Sequence, residues 1–428
     1  MIVEVRLSYG NDDISLDISG KAPVRIVGEE FPEPLSDSFE AFERSVENPI
    51  GTKPLSQLLS ESSKVSILVS DLTRSGSRRL LMILLEFLER RIKSSNNVAI
   101  FIATGMHRHL GDDELNAHLG EEVTSRWRII QHDPTDAASL KEVGTSPKGT
   151  PYAFAQEVVD SDLIVALGGV SFHYFAGFGG ARKLILPGVA GEETILSNHR
   201  LSLKEDPALG LADGCLPANL EGNPVHEDMV RGARAVPVEK FFINYITGDG
   251  GEPVFLNSGE MEKSHEEACR TLKEMFSFGL KKKYRAAIIS GGGYPKDINL
   301  LQAHKSLKHT SFALEDGAIV LAALSCPEGV GSESYLDSFS AGVDGVYEKV
   351  RKRYTINSQT AVSTREMIER FKIYLKSELD DSMLQRFGFR RWNPEDTDMI
   401  LRGIDEEDII VIKDASTFLP AYWQLDDR

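Results

Sequence analysis

Cysteine is scarce in this chain: Cys215, Cys269 and Cys326 stand far apart in 428 residues, with no CxxC spacing. That excludes a disulfide framework and a thiolate zinc site, and it leaves the three as small buried apolar residues in a reducing compartment. Surplus positive charge is missing too. A net charge of −17, from 65 acidic against 48 basic side chains, has the wrong sign for a long nucleic-acid interface, which needs a basic face to displace counterions. It leaves room for a small anion held by local cations. No apolar run approaches the ~18 residues of a membrane span, and no low-complexity tract interrupts the chain. The opening MIVEVRLSYGNDDISLDI alternates like a strand with Glu4 and Arg6 inside it, so it reads as part of the fold and not as a signal peptide. The expectation is a cytoplasmic globular protein that binds neither nucleic acid nor membrane.

What is present reads as strands alternating with helices. The length predicts two domains, with core enough that folding needs no metal or disulfide. Residues 2–8 and 14–18 read as a hairpin, and residues 38–47 as a helix within a proline- and acid-rich passage. Residues 64–70, 98–103 and 163–167 are apolar strand-like runs, separated by an apolar helix at 79–93 and a shorter helix at 112–119. Such alternation predicts parallel βαβ units, whose ligands gather at the carboxyl ends of strands near a topological switch point. Beyond residue 200 the pattern predicts a helix opening at Asn223-Pro-Val-His226, a strand at 241–246 and an amphipathic helix at 260–277. Gly279-Leu-Lys-Lys-Lys-Tyr284 marks a boundary, after which strands at 286–290, 318–324 and 409–412 and a helix bearing Gln302 and Lys305 restart the alternation. The fold class expected is α/β: two α/β domains, residues 1–278 and 279–428.

Three strand ends carry polar signals. The first runs into Ser70-Asp-Leu-Thr-Arg74, the second into Thr104-Gly-Met-His-Arg108 and the third into Gly168-Gly and His173. Taken singly, Asp71 and Arg74 read as an N-cap and a surface charge, and His107 as a loop histidine; their convergence is the signal. His109, His118 and His132 read as solvated or capping residues. Residues 168–200 set His173, Arg182, Lys183, His199 and Arg200 among glycines that include Gly188 and Gly191, a mixture suited to a bound anion and a helix N-terminus. A second glycine loop, Gly291-Gly-Gly-Tyr-Pro-Lys-Asp297, lacks the GxGxxG and GxxxxGK[ST] spacings and reads equally as a tight strand-to-helix turn.

These residues carry a resemblance. Ser70-Asp-Leu-Thr-Arg74, Ala103-Thr-Gly-Met-His-Arg108, the block His173…Ala176-Gly-Phe-Gly-Gly…Lys183…Pro187-Gly…His199, and Gln302…Lys305 resemble the ordered motifs of the nickel-dependent lactate racemase family. The match runs over roughly residues 60–310. The resemblance implies an isomerase, a racemase or epimerase of hydroxy acids, with its active site in an interdomain cleft. It implies a nickel-pincer nucleotide, a pyridinium-3-thioamide-5-thiocarboxylic acid mononucleotide with nickel, attached covalently to Lys183. His199 would be the nickel ligand, and His107 and His173 the paired acid and base. Asp71 would line the cofactor pocket, Gly188 would suit the nucleotide phosphate, and Arg74, Gln302 and Lys305 would contact the substrate. Cofactor-synthesis proteins would be partners.

The implied chemistry suits the residues. Removing the C2 hydrogen of a 2-hydroxy acid as a proton would set a carbanion beside a carboxylate. Hydride transfer to the metallated pyridinium avoids this, with one histidine taking the hydroxyl proton and the other returning one to the opposite face. Arg74 and Lys305 would neutralise the substrate carboxylate. The chain also departs from the family. Ser75-Gly-Ser77 stands where prolines are common, Leu301 stands where the lactate enzyme has a tyrosine, and no tryptophan lies between Trp127 and Trp392. The substrate expected is therefore not lactate but another 2-hydroxy acid, such as a larger sugar acid. Two other classes stay open: a metal-dependent hydrolase or lyase using His107, His173 and His199 jointly with Asp71, and a non-catalytic anion-binding protein.

Overall fold

The computed structural model describes residues 2–19, 24–72 and 76–422. They form two compact α/β units. One contains Phe31–Leu201 and Gly214–Met275, the other Met1–Glu30, Ser202–Asp213 and Phe276–Arg428.

The first unit is built on a six-stranded sheet in the order Pro253–Gly259, Glu239–Thr247, Leu163–Gly169, Val65–Val69, Val98–Ile102, Arg128–Gln131. Its neighbours are parallel except the first pair. Val65–Val69 and Val98–Ile102 are buried along their whole length, as unbroken apolar strands must be when both faces of a parallel sheet are covered. Helix Ser77–Glu89 supplies one cover: Leu80, Leu84, Phe87 and Leu88 recur at helical spacing and are all fully buried. Truncating Phe87 to alanine there would cost about 3–5 kcal/mol. From Val65–Val69 the chain lays its next two sheet strands to one side, then places Leu163–Gly169 and Glu239–Thr247 on the other. The order thus reverses between Val65–Val69 and Leu163–Gly169, whose carboxyl ends continue into Asp71 and His173.

The second unit has a six-stranded, wholly parallel sheet in the order Arg390–Arg391, Lys372–Lys376, Leu314–Ala323, Tyr284–Ser290, Ile409–Ile412, Arg25–Val27. An N-terminal hairpin, Ile2–Tyr9 with Asp12–Ser19, turns Val5, Leu7, Leu16 and Ile18 onto Ile288, Leu321 and Val411. The division at residues 278 and 279 therefore needs correction. The first thirty residues and Ser202–Asp213 group with the carboxyl-terminal unit, because strand Arg25–Val27 pairs with Ile409–Ile412 and the hairpin's apolar face is buried there.

The second glycine loop is a packed turn. Gly292 and Gly293 take φ of 91° and 70°, and a Cβ at Gly292 would stand 2.5 Å from Asp414 Oδ1. The Tyr294 N–H donates to Gly10 O at 2.8 Å, and the Gly10 N–H to Asp297 Oδ2 at 2.9 Å. The hairpin turn fills the space a phosphate would need. The three cysteines are buried and unpaired, and no helix among the described residues is long and apolar enough to cross a membrane.

Candidate active site

Asp71 follows strand Val65–Val69 and is buried, 5% exposed. Its Oδ2 accepts a hydrogen bond of 2.5 Å from His107 Nδ1, which puts the ring proton on Nδ1 and leaves Nε2 as the free base. His107 is the more accessible partner, its side chain 43% exposed against 7% for Asp71. A carboxylate holding one imidazole nitrogen also stabilises the imidazolium formed when the other takes a proton. The loop around them is braced by histidines that the sequence suggested were solvated or capping. His118 Nε2 donates to Ser70 O at 2.8 Å, His132 Nε2 to Ala190 O at 2.9 Å and His109 Nε2 to His132 O at 3.0 Å. Burial lowers the pKa of His118 and of His132, so both brace as neutral rings.

His173 sits on a two-residue strand, Phe172–His173, paired with Gly177–Phe178. The turn requires glycine at 177: φ is 77°, and a Cβ would fall 2.0 Å from Asn219 O. Inside the turn the Ala176 N–H donates to His173 Nδ1 at 3.3 Å, so the neutral ring carries its proton on Nε2. The two histidines are held in opposite tautomers.

Phe175, at the tip of this turn, is where the pieces meet. Its ring lies edge-on to His173 at 4.6 Å and to His199 at 5.2 Å, and Lys183 Nζ stands 5.8 Å from its centroid. His199 is drawn down to a pKa of about 3, by burial first and then by the charge of Lys183, with a smaller push from His107. It is a neutral donor at any ordinary pH. Its helix, Glu192–Arg200, is anchored by Asn198, whose Nδ2 donates to Asp228 Oδ2 at 2.9 Å, while Tyr152 Oη donates to Asp228 Oδ1 at 2.9 Å. Neither Phe175 nor this Asn198–Asp228–Tyr152 network was marked by the sequence.

Gly188, expected to suit a phosphate, has both of its own backbone polar groups engaged within the fold. Its N–H donates to Lys183 O at 2.9 Å, its carbonyl accepts from the Gly105 N–H at 3.0 Å, and a Cβ would lie 2.3 Å from Leu184 O. It ties the Thr104-Gly-Met-His loop to the Lys183 loop. At the helix N-terminus beyond it two N–H groups are engaged within the fold, that of Gly191 with Ala153 O and that of Glu192 with Pro134 O, each at 2.9 Å.

Arg74 lies outside the described residues. Beside that gap, Ser70 Oγ and Ser77 Oγ are buried without a hydrogen-bond partner. Gln302 and Lys305 belong to the second unit, on helix Leu300–Ser311, where Lys305 Nζ donates to Gln302 Oε1 at 2.6 Å. The structure thus brings together Asp71 and His107, and, around Phe175, His173, Lys183 and His199. Among the described residues no three His, Cys, Asp or Glu side chains form a group able to hold a metal ion.

Comparison with known proteins shows the family. Residues 9–210 match the model of the lactate racemase N-terminal domain, and residues 281–390 that of the lactate racemase C-terminal domain. A lactate racemase of Thermoanaerobacterium thermosaccharolyticum is 31% identical over 347 residues, 80% of this chain and 79% of that protein. A lactate racemase of Lactiplantibacillus plantarum is 30% identical over 296 residues, 69% of this chain and 68% of that protein. The solved structure of the lactate racemase apoprotein from Thermoanaerobacterium thermosaccharolyticum superposes with a TM-score of 0.85 at 27% identity, over 98% of this chain and all of that one.

Proposed function

This chain belongs to the lactate racemase family and is an isomerase of the racemase class; on that premise we propose that it inverts C2 of a 2-hydroxy acid other than lactate, using a nickel-pincer nucleotide anchored on Lys183. The observation that carries the reading is the Phe175 ring, which gathers an imidazole for proton transfer, an imidazole held neutral for a metal and a lysine amine around one point.

The donor set fits such a group. His199 supplies one neutral nitrogen, and a metal here would draw its other donors from the molecule that carries it, as the sulfurs of a pincer nucleotide would provide. Lys183 would hold that molecule, and Asp71 would line its pocket through His107. When bound, the group supplies an acceptor for the C2 hydride. The remaining work falls to the chain. His107 Nε2 takes the hydroxyl proton of one epimer, and Asp71 stabilises the resulting imidazolium. His173 would serve the other face: its neutral ring offers Nε2–H as a hydrogen-bond donor to the substrate oxygen, and returning a proton to that oxygen requires the imidazolium, in which Nδ1 carries a proton and no longer accepts from the Ala176 N–H. Arg74, Gln302 and Lys305 would hold the carboxylate and fix which face meets which histidine. Leu301, and Ser77 whose buried hydroxyl lacks a partner, depart from the residues common in the lactate enzyme, and these departures are taken to favour a larger or more polar acid. The hydrolase reading needs a three-residue ligand set, and the described residues contain none.

The test uses holoprotein made alongside the cofactor-synthesis proteins, with Lys183→Ala as the control that should lose the adduct mass. Single epimers of lactate and of sugar acids are incubated in D2O, and the products are separated and weighed. Inverted product without solvent deuterium at C2 is expected, with a sugar acid turned over faster than lactate. Solvent deuterium at C2 would replace hydride transfer by proton abstraction and defeat the mechanism. A preference for lactate would defeat the substrate assignment.

A further inference from the structure

Arg182 precedes the proposed anchor and takes no part in the chemistry above. Its side chain is 1% exposed, and each of its N–H groups is spent inside the protein. Nε donates to His226 Nδ1 at 3.0 Å; Nη1 donates to Gly179 O at 2.6 Å and, with the His265 proton on Nδ1, to His265 Nε2 at 2.7 Å, a nitrogen that also stands 2.8 Å from Gly179 O; Nη2 donates to Ala176 O at 3.3 Å and Phe178 O at 3.2 Å. A guanidinium has five N–H donors, and here are five acceptors. None is a carboxylate. Removing a cation from water without a counter-anion is costly, and burial brings the Arg182 pKa down to about 10. An apolar side chain would fill the same space without that cost, so packing alone does not account for the residue.

The acceptors show what it does. Ala176, Phe178 and Gly179 all belong to the segment between His173 and Lys183, while His226 and His265 come from two separate helices, Pro224–Ala235 and Met261–Phe276. The segment lies so close to the second helix that a Cβ on Gly180 would stand 2.7 Å from His265 Cδ2. Both histidines are neutral, His226 at about 3 and His265 well below its ordinary value, by burial first and then by Arg182 itself. They can therefore accept from the guanidinium without repelling it.

We infer that Arg182, seated between His226 and His265, is a positioning residue that holds the His173–Phe175 turn in register with Lys183. The planar fork is what the task needs, because it reaches three carbonyls of one strand turn and two rings of different helices at once; a lysine ammonium has three donors and no plane. The link to catalysis rests on the function proposed above, whereas the clamp itself does not.

The experiment has two arms, on Arg182→Met, Arg182→Lys, His265→Ala and His265→Gln. In the apoprotein, hydrogen exchange is followed at the amides of Ala176, Gly179 and Lys183, which donate to His173 Nδ1, Ser171 O and Gly180 O. Exchange there should quicken at least ~10-fold in both Arg182 variants, while strands Leu163–Gly169 and Glu239–Thr247 stay within ~2-fold of the parent. His265→Gln, whose carbonyl can still accept from Nη1, should retain more protection than His265→Ala. In the holoprotein, kcat per adduct-bearing chain should fall ~10–100-fold with KM moved less than ~3-fold, as a misplaced acid or base costs turnover and not ground-state binding. Unchanged exchange in the turn, or exchange quickened equally everywhere, would refute the clamp. A loosened turn with undiminished kcat per adduct would refute the positioning role. If the parent inverted no 2-hydroxy acid, the proposed function would fall and the apoprotein arm would still decide the clamp.

Discussion

Acid should unfold this protein through its histidines. Seven of the ten are held below the ordinary histidine value, each by burial first: His118, His132, His199, His226, His265, His304 and His309. For His199 and His226 the folded value is about 3, and for His309 about 4. In the unfolded chain each titrates near 6.5. Above pH 6.5 neither state binds the proton, and the stability attached to the neutral ring is fully present. Below 6.5 the unfolded chain takes up a proton that the folded chain refuses, so stability falls with pH until the folded values are reached. At pH 5.5 each of the three rings has lost about 1.4 kcal/mol, together about 4 kcal/mol, against a typical total of about 5–15 kcal/mol for a domain. The direct assay is proton uptake: the protein is unfolded with guanidinium chloride in unbuffered solution at pH 5.5 and at pH 8. Uptake of about three protons per chain or more is expected at pH 5.5, and almost none at pH 8. Uptake below one proton at pH 5.5 would show that these rings are already charged or hydrated in the folded state. The neutral His199 donor and the Arg182 clamp would then both lose their footing.

Two further results are expected at the site. His199→Ala should lose nickel from the holoprotein far more than His107→Ala or His173→Ala, measured by metal analysis; equal loss from all three would favour a shared metal site. Asp71→Asn removes a charge-assisted hydrogen bond worth roughly 1.5–3 kcal/mol, so kcat should drop about 10–150-fold with KM little changed. An unaltered kcat would make the Asp71–His107 pair structural.

The apolar strands were legible because a parallel sheet covered on both faces demands unbroken runs, and residues 64–70, 98–103 and 163–167 are such runs. Arg128–Gln131 escaped because only Ile129 and Ile130 mark it at the sheet edge, where its burial is partial. The hairpin of Leu140–Thr145 with Pro151–Ala155 escaped for a similar reason, with Lys141 and Glu142 exposed in its first strand. At the site, motif spacing marked His107, His173, Lys183 and His199. It could not reveal Phe175 as the meeting point of the last three, since an aromatic among Phe172, Tyr174 and Phe178 looks like core. Arg182 was equally opaque. Its ring partners lie 44 and 83 residues away, and in the sequence it stands among the cations of a stretch suited to a bound anion. Gly188 marks a close approach, and glycine does so without saying whether a ligand or another backbone approaches; here it is the backbone of Leu184.

The pairing of Arg25–Val27 with Ile409–Ile412 has a consequence for how the chain is born. The edge strand Arg25–Val27 must wait for a partner made almost four hundred residues later. At ribosomal rates of about 5–20 residues per second, the interval is roughly 20–80 seconds. During that time the hairpin's Val5, Leu7, Leu16 and Ile18 have no sheet to cover, while the unit of Phe31–Leu201 and Gly214–Met275 can already close behind them. Until that partner is made the hairpin is an apolar segment in need of shielding, and a substitution that makes its face more apolar burdens a strand still waiting for its place.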